Sequence, residues 1–215
     1  DSLSRALEGC ESLLNVASIG FGAAPRIIEA CKRSNVNRVI FVSTTSIFTH
    51  LNPDSKLIRI QAESVIEESN LNWTILRPTM IYGTPYDRNI IRLIKWIDYF
   101  PFLPVFGNGR SLQQPVHVSD VAWAIVRSIN EKKTFKRSFN LSGATSLSFN
   151  KLIELTAHEL KRNPKILHLS SRLFTSIFHK LESFGFRMPI KAEQIQRLNE
   201  DKAFSHHEAY KAFGY

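Results

Sequence analysis

The sequence predicts an α/β protein built on a parallel sheet, and three observations carry that prediction. Short apolar, β-branched runs alternate with helical spacing in the order strand, helix, strand, helix, strand over residues 12–78. Such alternation calls for right-handed crossovers, which lay helices on both faces of a parallel sheet. The 215 residues are 43% hydrophobic and 22% charged, the balance of a packed domain and too apolar for disorder. Finally, each strand-like run ends in a strip of small, polar or proline residues, where the ligands of such sheets bind.

The elements follow in order. Ser12-Leu-Leu-Asn-Val-Ala17, closed by Ser18-Ile-Gly20-Phe-Gly22, reads as a buried strand. The helical pattern from Pro25 to Arg33 has its proline at the first turn, where the missing N–H costs nothing. Arg38-Val-Ile-Phe-Val42 is a second buried strand ending in Ser43-Thr-Thr-Ser46. Asp54 or Ser55 then caps a helix whose Ile58, Ala62, Val65 and Ile66 share one stripe. Asn72-Trp-Thr-Ile-Leu76, closed by Arg77-Pro78, is the third strand. A helix from Arg88 to Phe100 leads into the aromatic, proline-rich run Tyr99–Phe106 and the turn Gly107-Asn-Gly109. Ser119 or Asp120 caps a helix through Ile129, and Ser138-Phe-Asn-Leu141 is a short strand. From Ser148 onward the pattern is helical, apart from a strand signal over Lys165 to Leu169.

Charge divides the chain unevenly. Residues 1–120 carry 12 basic and 11 acidic side chains, whereas residues 121–215 carry 16 and 8. The basic half predicts an anionic partner. Zinc-finger and RNA-binding aromatic motifs are missing and the cations are dispersed, so a phosphorylated small molecule or an anionic membrane surface is favoured over nucleic acid, with a merely solvated basic face as the default. Cys10 and Cys31 stand apart among apolar neighbours, outside any Cys/His cluster of metal spacing, and read as core residues with no metal site. The absence of an 18-residue uncharged apolar run, and a start lacking the features of a signal peptide, predict a cytoplasmic chain.

Gly20-Phe-Gly22-Ala-Ala-Pro25 sits where a dinucleotide-binding turn would, after a strand and before a helix. Its third position is proline, and no strand-terminal acid follows about 20 residues later. A plain strand-to-helix turn is the preferred reading. Five other segments are more specific in combination: Arg38–Ile47, Ala62-Glu63-Ser-Val-Ile66, Thr74-Ile-Leu-Arg-Pro-Thr-Met-Ile-Tyr-Gly83, Gln114-Pro-Val-His-Val-Ser-Asp-Val121 and Phe139-Asn-Leu-Ser-Gly143. In order and spacing they resemble the extended and atypical short-chain dehydrogenases/reductases, the NAD-dependent epimerase/dehydratase family. The resemblance covers about residues 1–150.

That resemblance implies an NAD(P)-binding Rossmann-like sheet with a small, mostly helical substrate region. The expected boundaries are 1–83 with 111–147 for the cofactor domain, and 84–110 with 148–215 for the substrate or lid region. NAD or NADP is the implied cofactor. Ala17, Ser18 and Ser43 would line its pyrophosphate and ribose path, and Pro78, Thr79, Met80 and Ile81 would back the nicotinamide. Thr44 falls at the catalytic hydroxyl position. The family's Tyr-x-x-x-Lys pair falls on Ser55 and Arg59, which departs from the pattern: an aliphatic hydroxyl is a far weaker acid than a phenol of pKa about 10, whereas Arg59 keeps a charge able to hold ribose hydroxyls. Tyr82, Arg110 and Gln114 fall near the substrate, an anionic and nucleotide-linked molecule by the same resemblance.

The resemblance further implies that the family's glycine-rich turn and first three strands lie upstream of Asp1, which makes this chain a fragment. Two functions stay open: an NAD(P)-dependent oxidoreductase or epimerase/dehydratase-like enzyme with a degenerate Tyr-x-x-x-Lys site, and a non-catalytic NAD(P)-binding accessory or redox-sensing module. Leu173, Phe174, Ile177, Phe178, Leu181 and Phe184 share one helical face, which suits either a substrate lid or a peripheral membrane helix.

Overall fold

The computed structural model describes residues 2–51, 53–87, 89–170 and 199–215. Along the chain the principal elements are strand β1 (Ser12–Asn15), helix α1 (Ala24–Arg33), β2 (Arg38–Val42), α2 (Asp54–Glu67), β3 (Asn72–Pro78), α3 (Ile90–Tyr99), β4 (Phe102–Phe106), α4 (Val118–Ser128), β5 (Arg137–Leu141), α5 (Phe149–Glu159), β6 (Lys165–Leu169) and α6 (His207–Phe213). They form two compact units. One takes its residues from Asp1–Ile81, Val116–Gly143 and Phe204–Tyr215, the other from Tyr82–Pro115 and Ala144–Ala203.

The first unit is the predicted α/β layer structure. Its four strands lie in the order β1-β2-β3-β5, all parallel, with Ser12 opposite Arg38, Arg38 opposite Asn72 and Thr74 opposite Arg137. Successive strand residues point to opposite faces, so a strand buried on both faces must be apolar at every position. Strand β2 shows this: Val39 and Phe41 enter one core with Ile28, Ile66 and Ile75. Ile40, between them, enters the other with Leu76, Phe139 and Phe213. Helices α1 and α2 cover the first face, α4 and α6 the second.

Arg38 heads β2 and is only 8% exposed. Its guanidinium donates to the carbonyls of Ile129 (2.8 Å), Asn72 (2.7 Å) and Ser128, and to the hydroxyls of Thr74 (2.9 Å) and Thr134 (3.1 Å). It also stacks on Phe135 at 4.4 Å. One side chain thereby joins the starts of β2 and β3 to the carboxyl end of α4, where the helix dipole favours a cation. Burial pulls its pKa down to about 10.

Several details depart from the expectations. Strand β1 stops at Asn15 and is half-buried, with Leu14 38% exposed; among the described residues it pairs with β2 alone. Neither Asp54 nor Ser55 caps α2; the cap position is the extended Pro53, with no side-chain hydrogen bond. On that helix Ala62, Glu63 and Ile66 are buried, while Ile58 lies at the exposed end of the stripe. Helix α4 is capped by His117, whose Nδ1 accepts from the Ser119 N–H at 3.3 Å, so Asp120 falls in the first turn. Cys31 is buried, but Cys10 is exposed just before β1.

The second unit carries α3, β4, α5 and β6. The aromatic, proline-rich run contains a strand, β4, paired in parallel with β6 through Phe102 opposite Lys165 and Phe106 opposite Leu169. A two-stranded ribbon leaves each strand an open edge, the place where a residue such as Pro104 is tolerated. Ser148 caps α5 by accepting from the Lys151 N–H at 3.2 Å. The terminal helix α6 belongs to the sheet unit, where Ala209, Ala212 and Phe213 are buried and Phe213 packs edge-on against Phe139 at 5.4 Å. The apolar face expected over 173–184 lies outside the described residues. Among the described residues, no helix is long and apolar enough to cross a membrane.

Candidate functional site

Because β1, β2 and β3 are parallel and nearly in step, the segments that leave them meet at one end of the sheet. These are residues 16–18, 43–45 and 78–81, the strips marked out by sequence. Val16, Ala17 and Ser18 are exposed. Ser18 accepts from the Gly20 N–H at 3.2 Å and caps a single 3-10 turn, Ile19–Phe21, which ends in left-handed Gly22 (φ 73°). Gly22 serves that turn, in keeping with the strand-to-helix turn preferred from the sequence.

Gly20 lies against the side chain of Arg59. A Cβ there would stand 3.2 Å from Cζ and Nε of Arg59. The guanidinium lies over the Gly20 backbone, and its Nη1 donates to the carbonyl of Ser55 at 2.7 Å. The geometry thus joins Ser18, Ser55 and Arg59 in one place, at the carboxyl end of β1.

At the end of β2 the three hydroxyl residues take different roles. Ser43 is buried and its hydroxyl donates to the Glu63 carboxylate, so a ligand could use only its backbone. Thr44 is half-buried in extended conformation, and its oxygen accepts from the Ser46 N–H at 3.2 Å. That bond uses a lone pair and leaves the Thr44 proton available for donation. Thr45 is buried and donates to the Pro78 carbonyl at 3.4 Å.

Beneath this strip lies a network whose roles sequence reasoning missed. Glu63, 4% exposed, receives Ser43 from β2 and Arg77 from β3. The Arg77 contacts are Nε at 3.0 and 3.2 Å and Nη2 at 2.5 Å. Arg77 also reaches Glu67 at 3.7 Å and lies 5.5 Å from the Phe48 ring. The signal was present: Glu63 falls between Ala62 and Ile66 on a buried helix stripe, and a carboxylate there requires a cation.

At the end of β3, Pro78 and Thr79 are buried, and Met80 and Ile81 half-buried. The Thr79 N–H donates to Leu141 at 2.9 Å and the Met80 carbonyl accepts from Val116 at 3.0 Å. The remaining expected residues, Tyr82, Arg110 and Gln114, belong to the second unit. There Arg110 is exposed on a cavity of about 530 Å³, lined also by Gly107, Asn108, Asn150 and His168. Its floor is built closely: at left-handed Gly109 (φ 65°) a Cβ would collide with the Asn150 carboxamide. Gln114 is buried and Tyr82 half-buried, and neither lines that cavity. Among the described residues no group of three His, Cys, Asp or Glu side chains can hold a metal ion.

A sequence profile described as NAD(P)H-binding matches residues 1–132, more than half of the chain. The chain belongs to the NAD(P)H-binding family. Its curated relatives include the chloroplast stem-loop binding protein of 41 kDa b of Arabidopsis thaliana, 30% identical over 136 residues, which are 60% of this chain and 34% of that protein. Short-chain dehydrogenase/reductase family 42E member 1 of Macaca fascicularis is 27% identical over 137 residues, 51% of this chain and 35% of that protein. The chain therefore spans about a third of the length of these relatives. Among solved structures, UDP-glucuronic acid 4-epimerase from Bacillus cereus, in complex with UDP-glucuronic acid and NAD, superposes with a TM-score of 0.76 at 16% identity, over 100% of this chain and 73% of that one. This likeness shows the fold, a Rossmann-like parallel sheet of the epimerase/dehydratase type, as the resemblance implied.

NAD or NADP is the cofactor class of the family, and the strand-end strip suits it chemically. Ala17 and Ser18 are small and exposed, so a ligand can approach their backbone. The Arg59 guanidinium over Gly20 supplies a permanent cation beside them.

Proposed function

We propose that the protein is an NAD(P)-dependent oxidoreductase or epimerase/dehydratase-like enzyme acting on an anionic, nucleotide-linked substrate. The observation that carries this reading is the convergence of Thr44 and Arg59 at the carboxyl ends of adjacent parallel strands, the position where such sheets take their ligands. The dinucleotide, when bound, supplies hydride transfer; the protein supplies position and charge. The exposed backbone of Ala17 and Ser18 admits the pyrophosphate, with Ser43 offering its backbone nearby. Arg59 holds ribose hydroxyls, and the Pro78-Thr79-Met80-Ile81 segment backs the ring. Thr44, whose oxygen is held by the Ser46 N–H, directs its proton to a substrate oxygen. In the second unit, Arg110, exposed on its own cavity, supplies a cation able to hold an anionic group there.

One feature favours a second reading, a dinucleotide-binding module without turnover. Ser55 occupies the tyrosine position, and its hydroxyl has no phenol-like acidity. Titrating NADH and NADPH against the full-length protein tests both. The main reading expects micromolar binding, about tenfold weaker in Arg59→Ala, and slow turnover of a UDP-sugar with NAD+ that Thr44→Val abolishes. Binding without turnover, with turnover appearing in Ser55→Tyr/Arg59→Lys, would establish the module instead. A full-length protein that binds neither dinucleotide would refute both.

A further inference from the structure

The ribbon of the second unit turns an aromatic face to solvent. Side chains alternate along β4, so Leu103 and Val105 are buried at 6% and 1% exposure while Phe102 on the other face is 44% exposed. Lys165 is opposite Phe102 in register, which puts Leu167, 46% exposed, on the same outer face. The end of α3 continues the surface. Trp96 packs on Phe100 at 4.8 Å between ring centres, Phe100 lies 6.5 Å from Phe102, and Trp96 Nε1 donates to the Phe102 carbonyl at 2.8 Å. Tyr99, 75% exposed, stands at the edge. These rings are held by one another and by a backbone hydrogen bond, yet none is covered by the described residues. A contiguous apolar patch of this kind marks an interaction site.

The charges around the patch identify what covers it. Arg92 and Lys95 on α3 and Lys165 on β6 are exposed, and none has an ion-pair partner among the described residues. The acid of α3, Asp98, is neutralised by Arg162 at 2.9 Å. An apolar aromatic ledge with three unpaired cations beside it, and the acid of α3 neutralised, fits a surface that offers hydrocarbon beneath negative charge. Rings such as Trp and Tyr favour the boundary between bilayer and water, and each nearby cation strengthens binding to anionic lipid about fivefold. We propose that this face docks on an anionic bilayer surface. The assignment is independent of the dinucleotide reading and uses residues outside the 173–184 segment.

Co-sedimentation of the whole protein with phosphatidylcholine vesicles, with and without roughly 30% phosphatidylglycerol, tests it. The protein pellets with the anionic vesicles only, and raising salt to about 0.5 M releases it. Lys95→Glu/Lys165→Glu weakens binding at least about tenfold. Tyr99→Ser/Phe102→Ser does the same, with an unchanged circular dichroism spectrum. Tyr210→Ser, an exposed ring on the other unit, leaves binding intact. Protein that stays in the supernatant, or variants that bind like the parent, would overturn the assignment. So would light scattering that finds a dimer lost in Tyr99→Ser/Phe102→Ser, since a second copy would then occupy the face.

Discussion

Replacing Arg77 by Met tests whether the Glu63 network holds the strand ends in place. The Glu63 side chain is 6% exposed and that of Arg77 16%. The substitution keeps most of the apolar stem but removes three contacts of 2.5–3.2 Å, leaving the carboxylate with the Ser43 hydroxyl. Stranding one partner of a buried ion pair costs about 3–5 kcal/mol, a large share of the roughly 5–15 kcal/mol that holds a domain together. Glu63→Gln is milder, about 1–3 kcal/mol, because Arg77 retains solvent access and Glu67 at 3.7 Å. In Glu63→Gln/Arg77→Met no charge is stranded, so the double variant recovers about 2–3 kcal/mol relative to the sum of the singles. Urea unfolding followed by far-ultraviolet circular dichroism measures the cycle. With a slope of about 2 kcal/mol/M, Arg77→Met lowers the midpoint by roughly 2 M. A shift below about 0.3 M, or single-variant effects that simply add, would refute the reasoning.

Three further outcomes follow from the same geometry. Ellman's reagent at pH 8 titrates one thiol rapidly in the folded protein, the exposed Cys10; Cys31, buried and with its pKa pushed up to about 11, joins it only in urea. Arg38→Lys destabilises by about 2–4 kcal/mol in the same urea assay, since an ammonium cannot span the acceptors that the guanidinium bridges. Tyr215 is pushed up to about 12 by burial and by the Asp120 charge, while its hydroxyl donates to Ser142 at 3.1 Å. The unfolded chain releases that proton near pH 10 and the folded chain keeps it, so this contribution is complete below pH 10 and fades between about 10 and 12. Tyr215→Phe flattens that part of the stability profile and loses about 1 kcal/mol at neutral pH.

Sequence alone determined the fold class and which strand-end strips lie together, because both depend on local pattern. Val39, Ile40 and Phe41 must all be apolar in a strand covered on both faces, and parallel strands separated by single helices bring residues 16–18, 43–45 and 78–81 to one end of the sheet. Resemblance added the family, which the NAD(P)H-binding profile bears out. What depended on distant partners was hidden. The network of Glu63 with Ser43 and Arg77 joins residues 14 and 20 positions apart. The covering of Gly20 by Arg59 likewise needs α2 to lie across the end of β1. Tertiary structure alone also decided that Tyr99–Phe106 contains a strand and that α6 returns to the sheet. In each case the deciding contact is made by residues far along the chain, and no local spacing encodes which of several apolar or polar segments will supply it.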